Sequence, residues 1–201
     1  GFTVTFNKLK LEVGSVATSF TETNLVNIEN AEKNSWDGRN LIPYTNQAKD
    51  WYARSATGNG ASVAYTTFLG VTGATITVTQ SNSSWGIFFS KGTIGRSLIK
   101  SNQIYTISFD CQSNITSSNF FVDIKDGSST NSLIRFGNIN LVANTVTHIV
   151  LTATSTTVTT TDQVLYLGGF NVTGLIFTIT NLKLESGDTA TPWTPAPEDC
   201  T

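Results

Sequence analysis

The sequence predicts an all-β domain, an antiparallel sandwich or barrel, filling most of the 201 residues. Three observations point there. Short runs rich in Thr, Val, Ile and Phe follow one another, set apart by clusters such as Gly58-Asn59-Gly60, Gln80-Ser81-Asn82-Ser83, Asp126-Gly127-Ser128-Ser129 and Gly168-Gly169. Strands at this spacing, with no helical pattern between them, suit a sandwich or barrel. Apolar and polar residues alternate within the runs, as half-buried strands require. Ser and Thr together make up roughly a quarter of the chain, well above ordinary usage, and Thr suits an outward β surface.

In chain order, strands are expected over 62–69, 74–79, 85–90, 104–111, 119–125, 133–136, 145–153, 163–170 and 175–185. Only 23–34 has helical spacing, with Leu25 and Ile28 in step and Thr23 or Asn24 as an N-cap; it is short and reads as a linker. Phe120, Val122 and Ile124 share one face of their strand, and Phe121, Asp123 and Lys125 the other. Thr147, Ile149 and Leu151 likewise oppose His148 and Val150. Cys111 keeps the parity of Tyr105, Ile107 and Phe109 and reads as a small core residue, so a disulfide with Cys200 is not expected.

The last run breaks step. Leu175, Phe177 and Ile179 are odd, whereas Leu182 and Leu184 are even. A strand that changes parity without changing sheet needs an extra residue, which predicts a β-bulge around Thr180-Asn181.

That closing stretch occurs twice. Residues 8–21, from Lys8-Leu9-Lys10-Leu11-Glu12 to Thr18-Ser19-Phe20-Thr21, align at a constant offset with Asn181-Leu182-Lys183-Leu184-Glu185 to Thr191-Pro192-Trp193-Thr194. Upstream, Val4 and Phe6 against Leu9 and Leu11 repeat the parity shift. A unit recurring at so long a period is a whole domain rather than a solenoid repeat. The expected organisation is the last strand and tail of a preceding similar domain (1–22), a connector (23–37), and one complete β-sandwich domain (38–199) within a longer multi-domain protein. Phe20 and Trp193, aligned, are expected to pack the tail onto its sandwich.

Composition excludes several functions. Only 13% of residues are charged and the net charge is −2, so no basic field exists to gather phosphates and no nucleic-acid partner is expected. No run of 18 apolar residues occurs, and no membrane partner is expected. No G-x-S-x-G elbow, HExxH, CxxC or phosphate-cradling glycine loop is present. Asp110, Asp123 and Asp162 lie far apart in sequence, a poor basis for the paired carboxylates of a glycosidase. The chain is not expected to be an enzyme.

Gly38-Arg39-Asn40-Leu41-Ile42-Pro43, Ile104-Tyr105-Thr106-Ile107-Ser108-Phe109, and Ile179-Thr180-Asn181-Leu182-Lys183-Leu184-Glu185-Ser186-Gly187 with Ala190-Thr191-Pro192-Trp193-Thr194-Pro195-Ala196-Pro197-Glu198-Asp199 resemble jelly-roll carbohydrate-binding modules. More narrowly, the closing motif is similar to those in tail, baseplate and minor structural proteins of phages infecting Gram-positive bacteria. The resemblance covers residues 38–199. It implies a jelly-roll β-sandwich on the virion, acting at the bacterial surface, with cell-wall polysaccharide and other virion proteins as partners. It also implies, in many such modules, a structural calcium near the domain start and last strand. Here Asp50, Glu185 and Asp188 are the candidate carboxylates, and six to eight oxygen ligands are not readily assembled from them. No cofactor is expected.

Sugars present apolar CH faces and hydroxyl edges, so their sites pair aromatic platforms with convergent polar groups. Trp85, Ile87 and Phe89 share one face of their run and Phe88 the other, leaving Trp85 and Phe89 as core residues or a sugar platform. Trp51 and Tyr52, in the loop that opens the domain, either cap the sandwich or flank the binding face. Asp123, Lys125, Arg135 and His148 are off-core polar positions, with Phe121 and Tyr166 as aromatic neighbours by parity. Arg135 offers a planar fork of donors for hydroxyl or phosphate groups; the alternative is a cross-strand ion pair on a solvated face.

Overall fold

The computed structural model describes residues 38–43, 45, 51–54, 60–80, 86–89, 99–127, 131–160, 163–169 and 172–200, with the backbone alone for 51–54, 86–89, 198 and 200. The chain divides into two units, Gly1–Trp36 and Asp37–Thr201. The first, with the expected linker at 23–34 and the earlier copy of the closing motif, lies outside the described residues.

Among the described residues, ten strands form the second unit: β1 (Trp51–Arg54), β2 (Ala61–Phe68), β3 (Val71–Val78), β4 (Gly86–Phe89), β5 (Ile104–Ser113), β6 (Ser117–Asp126), β7 (Ser132–Leu141), β8 (Thr147–Thr154), β9 (Gln163–Gly168) and β10 (Ile176–Ser186). They make two antiparallel five-stranded sheets, β2-β3-β10-β5-β8 (the first sheet) and β1-β4-β9-β6-β7 (the second). From β7 to β10 the chain changes sheet at every step, the winding of a jelly roll. The fold is therefore the β-sandwich the sequence predicts. Trp51 and Tyr52 are a correction: they belong to an edge strand, not to a loop.

The two inner faces meet in one core. Ile76, Ile107, Phe109, Phe177, Ile179, Leu182 and Leu184 come from the first sheet; Phe120, Val122, Ile124, Ile134, Leu165 and Leu167 come from the second. Phe120 and Phe177 touch across the gap, ring centroids 5.6 Å apart. Cys111 is buried with a free thiol, which burial and then the neighbouring Asp110 charge push up to about 12.

Two bulges keep the core filled. In β10 the pairing with β5 slips between Thr180 and Lys183, with Asn181 at φ 53°. This is the predicted bulge, and it lets Leu182 and Leu184 face the same core as Phe177 and Ile179. In β7 the pairing with β6 slips between Val122 and Asp123, where Gly137 has φ 110°. Buried positions change there from Ile134 and Phe136 to Ile139 and Leu141. The run expected to end at 136 thus continues to Leu141, because the left-handed glycine absorbs the extra residue instead of ending the strand.

The residues that carry the family resemblance meet at one seam. Asn40 is fully buried; its Nδ2 donates to Thr45 Oγ1 (3.1 Å), Leu182 O (3.1 Å) and Thr194 O (3.3 Å). Its Oδ1 accepts from the backbone N–H groups of Ile42 (3.1 Å) and Leu184 (3.2 Å). One amide thereby ties the domain's start to β10 and the tail. Beyond β10 the tail returns over the outer face of the first sheet, where Gly187 O accepts from Thr106 Oγ1 (2.8 Å) and Trp193 Nε1 donates to Leu182 O (3.1 Å).

Candidate functional site

The outer face of the second sheet gathers four of the candidate residues. Phe121 and Asp123 lie on β6, Arg135 on β7 and Tyr166 on β9. Asp123 pairs in register with Arg135 on one side and Tyr166 on the other, so the three form a row across the strands. Phe121, two residues along, stands opposite Gly168. A Cβ at Gly168 would lie 2.2 Å from Phe121 Cζ and 2.6 Å from Tyr166 Cε1. The missing side chain is what gives both rings their place.

Each ring is faced by a cation. The Arg135 guanidinium carbon is 3.8 Å from the Phe121 centroid, and Lys125 Nζ is 4.6 Å from that of Tyr166. The rings themselves are tilted by 52° with centroids 5.5 Å apart. Both contacts lie within cation–π range. Asp123 sits between them, 3% exposed, accepting from the Ser132 hydroxyl and from Arg135 Nη1 at 3.4 Å. Burial raises its pKa above the ordinary carboxylate value. The Ser132 hydrogen bond and the positive Lys125 and Arg135 pull the other way without cancelling that effect.

The remaining candidates are placed by backbone register. Phe88 pairs with Tyr166 and Tyr52 pairs with Phe88, which extends the Arg135–Asp123–Tyr166 row to the sheet edge. Phe89 pairs with core residue Leu165, and Trp51 with Phe89. Trp85 lies outside the described residues. His148 is a correction to the grouping by parity: it lies on β8 in the first sheet, its Nδ1 2.7 Å from Asp110 Oδ1. Asp110 and Asp123 likewise belong to different sheets, so they do not face each other across one cleft.

Sequence reasoning missed Ser132 and Gly168. Ser132 lies at the margin of a run expected to begin at Leu133. Gly168 read as turn punctuation, although a glycine after Val164-Leu165-Tyr166-Leu167 is also a signal of close approach in a strand.

Of the carboxylates named for calcium, Asp50 lies outside the described residues, and Glu185 does not fit a metal. Glu185 is 1% exposed in its side chain, as is Lys183, whose Nζ lies 3.5 Å from Glu185 Oε2. Glu185 also accepts from Thr191 N (2.8 Å) and Thr191 Oγ1 (2.7 Å), and Lys183 donates to Thr191 Oγ1 and Pro192 O (2.9 Å). A fixed ammonium already neutralises this carboxylate and would repel a second cation. Among the described residues no three His, Cys, Asp or Glu side chains form a group able to hold a metal.

No family model and no curated protein matches the sequence. Solved structures do match the fold. An arabinose-bound α-L-arabinofuranosidase is similar over 76% of this chain and 27% of its own, at 15% identity and a TM-score of 0.60. The enzymatically active domain of tailspike protein 4 of bacteriophage CBA120 is similar over 76% of this chain and 22% of its own, at 11% identity and 0.53. A family 4 carbohydrate-binding module is similar over 77% of this chain and 98% of its own, at 14% identity and 0.51. The chain thus spans about a quarter of the two larger proteins and nearly all of the module. At these identities the shared property is the fold, a jelly roll of the carbohydrate-binding-module kind.

Proposed function

We propose that residues 38–199 are a noncatalytic glycan-binding module of a phage tail or baseplate protein, which attaches the virion to host cell-wall polysaccharide. The observation that carries this reading is the cluster on the second sheet: two adjacent rings, each faced by a cation, beside a buried carboxylate, on the fold shared with a carbohydrate-binding module. A sugar ring bound here lies its CH face against Phe121 in place of the guanidinium. Arg135 turns aside and donates to hydroxyl or phosphate oxygens. Each contact is weak, and many copies on one virion supply the avidity.

A second reading is favoured by burial. Tyr166 is 8% exposed and Val164, also on β9, is 0% exposed, so part of this face is already covered. A structural spacer or docking domain that contacts other virion proteins needs no open aromatic groove. A third reading, an accessory domain beside a depolymerase, is consistent with the small fraction of the arabinofuranosidase and tailspike that this fold occupies.

An array of purified Gram-positive wall polysaccharides and teichoic acids separates these readings. Retention of the folded chain on a subset of them, reduced in Arg135→Ala, supports the module. If no wall fraction retains the folded protein, the spacer reading stands instead.

A further inference from the structure

We infer that the chain carries a second ligand pocket, on the opposite sheet, that takes a single neutral sugar ring. The pocket is about 350 Å³ and lies where the returning tail meets the β10 bulge; Asp110, His148, Asn181 and Trp193 contribute to its lining. That volume is at the small end of ligand pockets, roughly 300–1,000 Å³, and suits one ring better than a chain. It does not depend on the glycan reading of the second sheet.

Three polar side chains are fixed there. Asp110 accepts from His148 at 2.7 Å through one oxygen and from Asn181 Nδ2 at 2.8 Å through the other. A carboxylate only accepts, so His148 presents Nδ1–H to it, leaving Nε2 to meet a ligand. Asn181 spends Nδ2 in the same way and keeps Oδ1. The backbone holds this arrangement in register, since Asp110 pairs with both His148 on β8 and Thr180 on β10.

Asn181 is the bulged residue, and bulges re-aim side chains beside sites. In the first copy of the closing motif the aligned residue is Lys8. Trp193 supplies an aromatic wall, its indole N–H already anchored on Leu182 O. A ring wall beside a fixed group of acceptors and donors matches a pyranose, with CH groups on one side and vicinal hydroxyls on the other. The Asp110 carboxylate disfavours an anion, in contrast to the two cations of the second sheet.

The test is an NMR titration of the isotope-labelled full chain with D-glucose, D-galactose, N-acetyl-D-glucosamine and L-rhamnose, and with D-glucuronate as the charged comparison, each to about 100 mM, since single-ring binding is weak. Saturable shifts of the Trp193 indole and the Asn181 and Ala190 amides with at least one neutral sugar, and none with glucuronate, are expected. His148→Ala and Asp110→Asn are each expected to weaken that binding about tenfold, the first by removing the Nε2 acceptor and the second by loosening the carboxylate that orients His148 and Asn181. The His148 side chain is 61% exposed, so its removal leaves the fold intact even if Asp110→Asn does not. Shifts confined to Phe121, Lys125 and Arg135, no saturable shift with any neutral sugar, or binding unchanged in His148→Ala would overturn the inference. The first of these outcomes leaves the second-sheet site standing.

Discussion

The guanidinium of Arg135 covers the ring of Phe121 at 3.8 Å while its Nη1 reaches the buried Asp123 at 3.4 Å. One side chain thus links the ring face of Phe121 to the buried carboxylate of Asp123. The arrangement exists because Gly168 leaves room for two rings and because the β7 bulge sets Arg135 opposite Asp123. The outer face of the second sheet is therefore organised from below, by backbone.

Gly168→Ala tests that support. A methyl group cannot coexist with Phe121 Cζ at 2.2 Å, so both rings must move. A stability loss of about 1–3 kcal/mol is expected from overpacking, read by urea unfolding, with a change in the Phe121 and Tyr166 ring resonances. A neutral substitution would mean the rings are not seated as described.

Asn40→Ala removes an amide that joins the domain's start, β10 and the tail. Several buried backbone groups lose their partner together, and a cost of about 2–4 kcal/mol is expected. Urea unfolding measures it. A change within about 0.5 kcal/mol would show that the seam does not hold the fold.

Lys183 and Glu185 neutralise each other out of water. Lys183→Met or Glu185→Leu alone leaves a buried charge without its partner, at a cost of about 3–5 kcal/mol for a broken ion pair. The double change to Met and Leu is expected to cost less than the two singles summed, because it removes both charges. A double-mutant cycle in urea reads the coupling, and additive losses would contradict it.

Asp123 makes stability depend on pH in the less usual direction. Its folded pKa is raised, so the folded chain binds the proton more tightly than the unfolded chain. The stabilisation from this group is absent above the folded pKa, grows as pH falls through it, and is complete below the unfolded value near about 4. Relative to Asp123→Asn, the urea midpoint of the unaltered chain is expected to rise on acidification from neutral pH. A falling difference would mean that the Arg135 contact outweighs burial.

Much of this architecture was legible in the chain. Alternation gave the inward set Phe120, Val122 and Ile124, and the parity change in the last run located the bulge at Thr180-Asn181. Both are local consequences of a period of two. β7 was cut short because a glycine inside a strand reads as a stop until its left-handed conformation is seen. The site was harder. Parity placed Phe121, Asp123, Arg135 and Tyr166 off the core, yet it also grouped them with His148, which lies on the other sheet. Which strands share a sheet is decided by long-range pairing, and no spacing within a strand encodes it. The opening and closing motifs pointed to the fold for a physical reason: Asn40 from the first and Lys183, Glu185 and Thr191 from the second lock the domain shut. They say nothing of the ligand.

The most direct measurement is a calorimetric titration of the folded chain with purified Gram-positive cell-wall polysaccharide, repeated with Phe121→Ala and Arg135→Ala. Saturable binding that each substitution weakens about tenfold is the expected result. Absence of binding to every wall polysaccharide tested, or binding that both substitutions leave unchanged, would contradict a glycan site on this face.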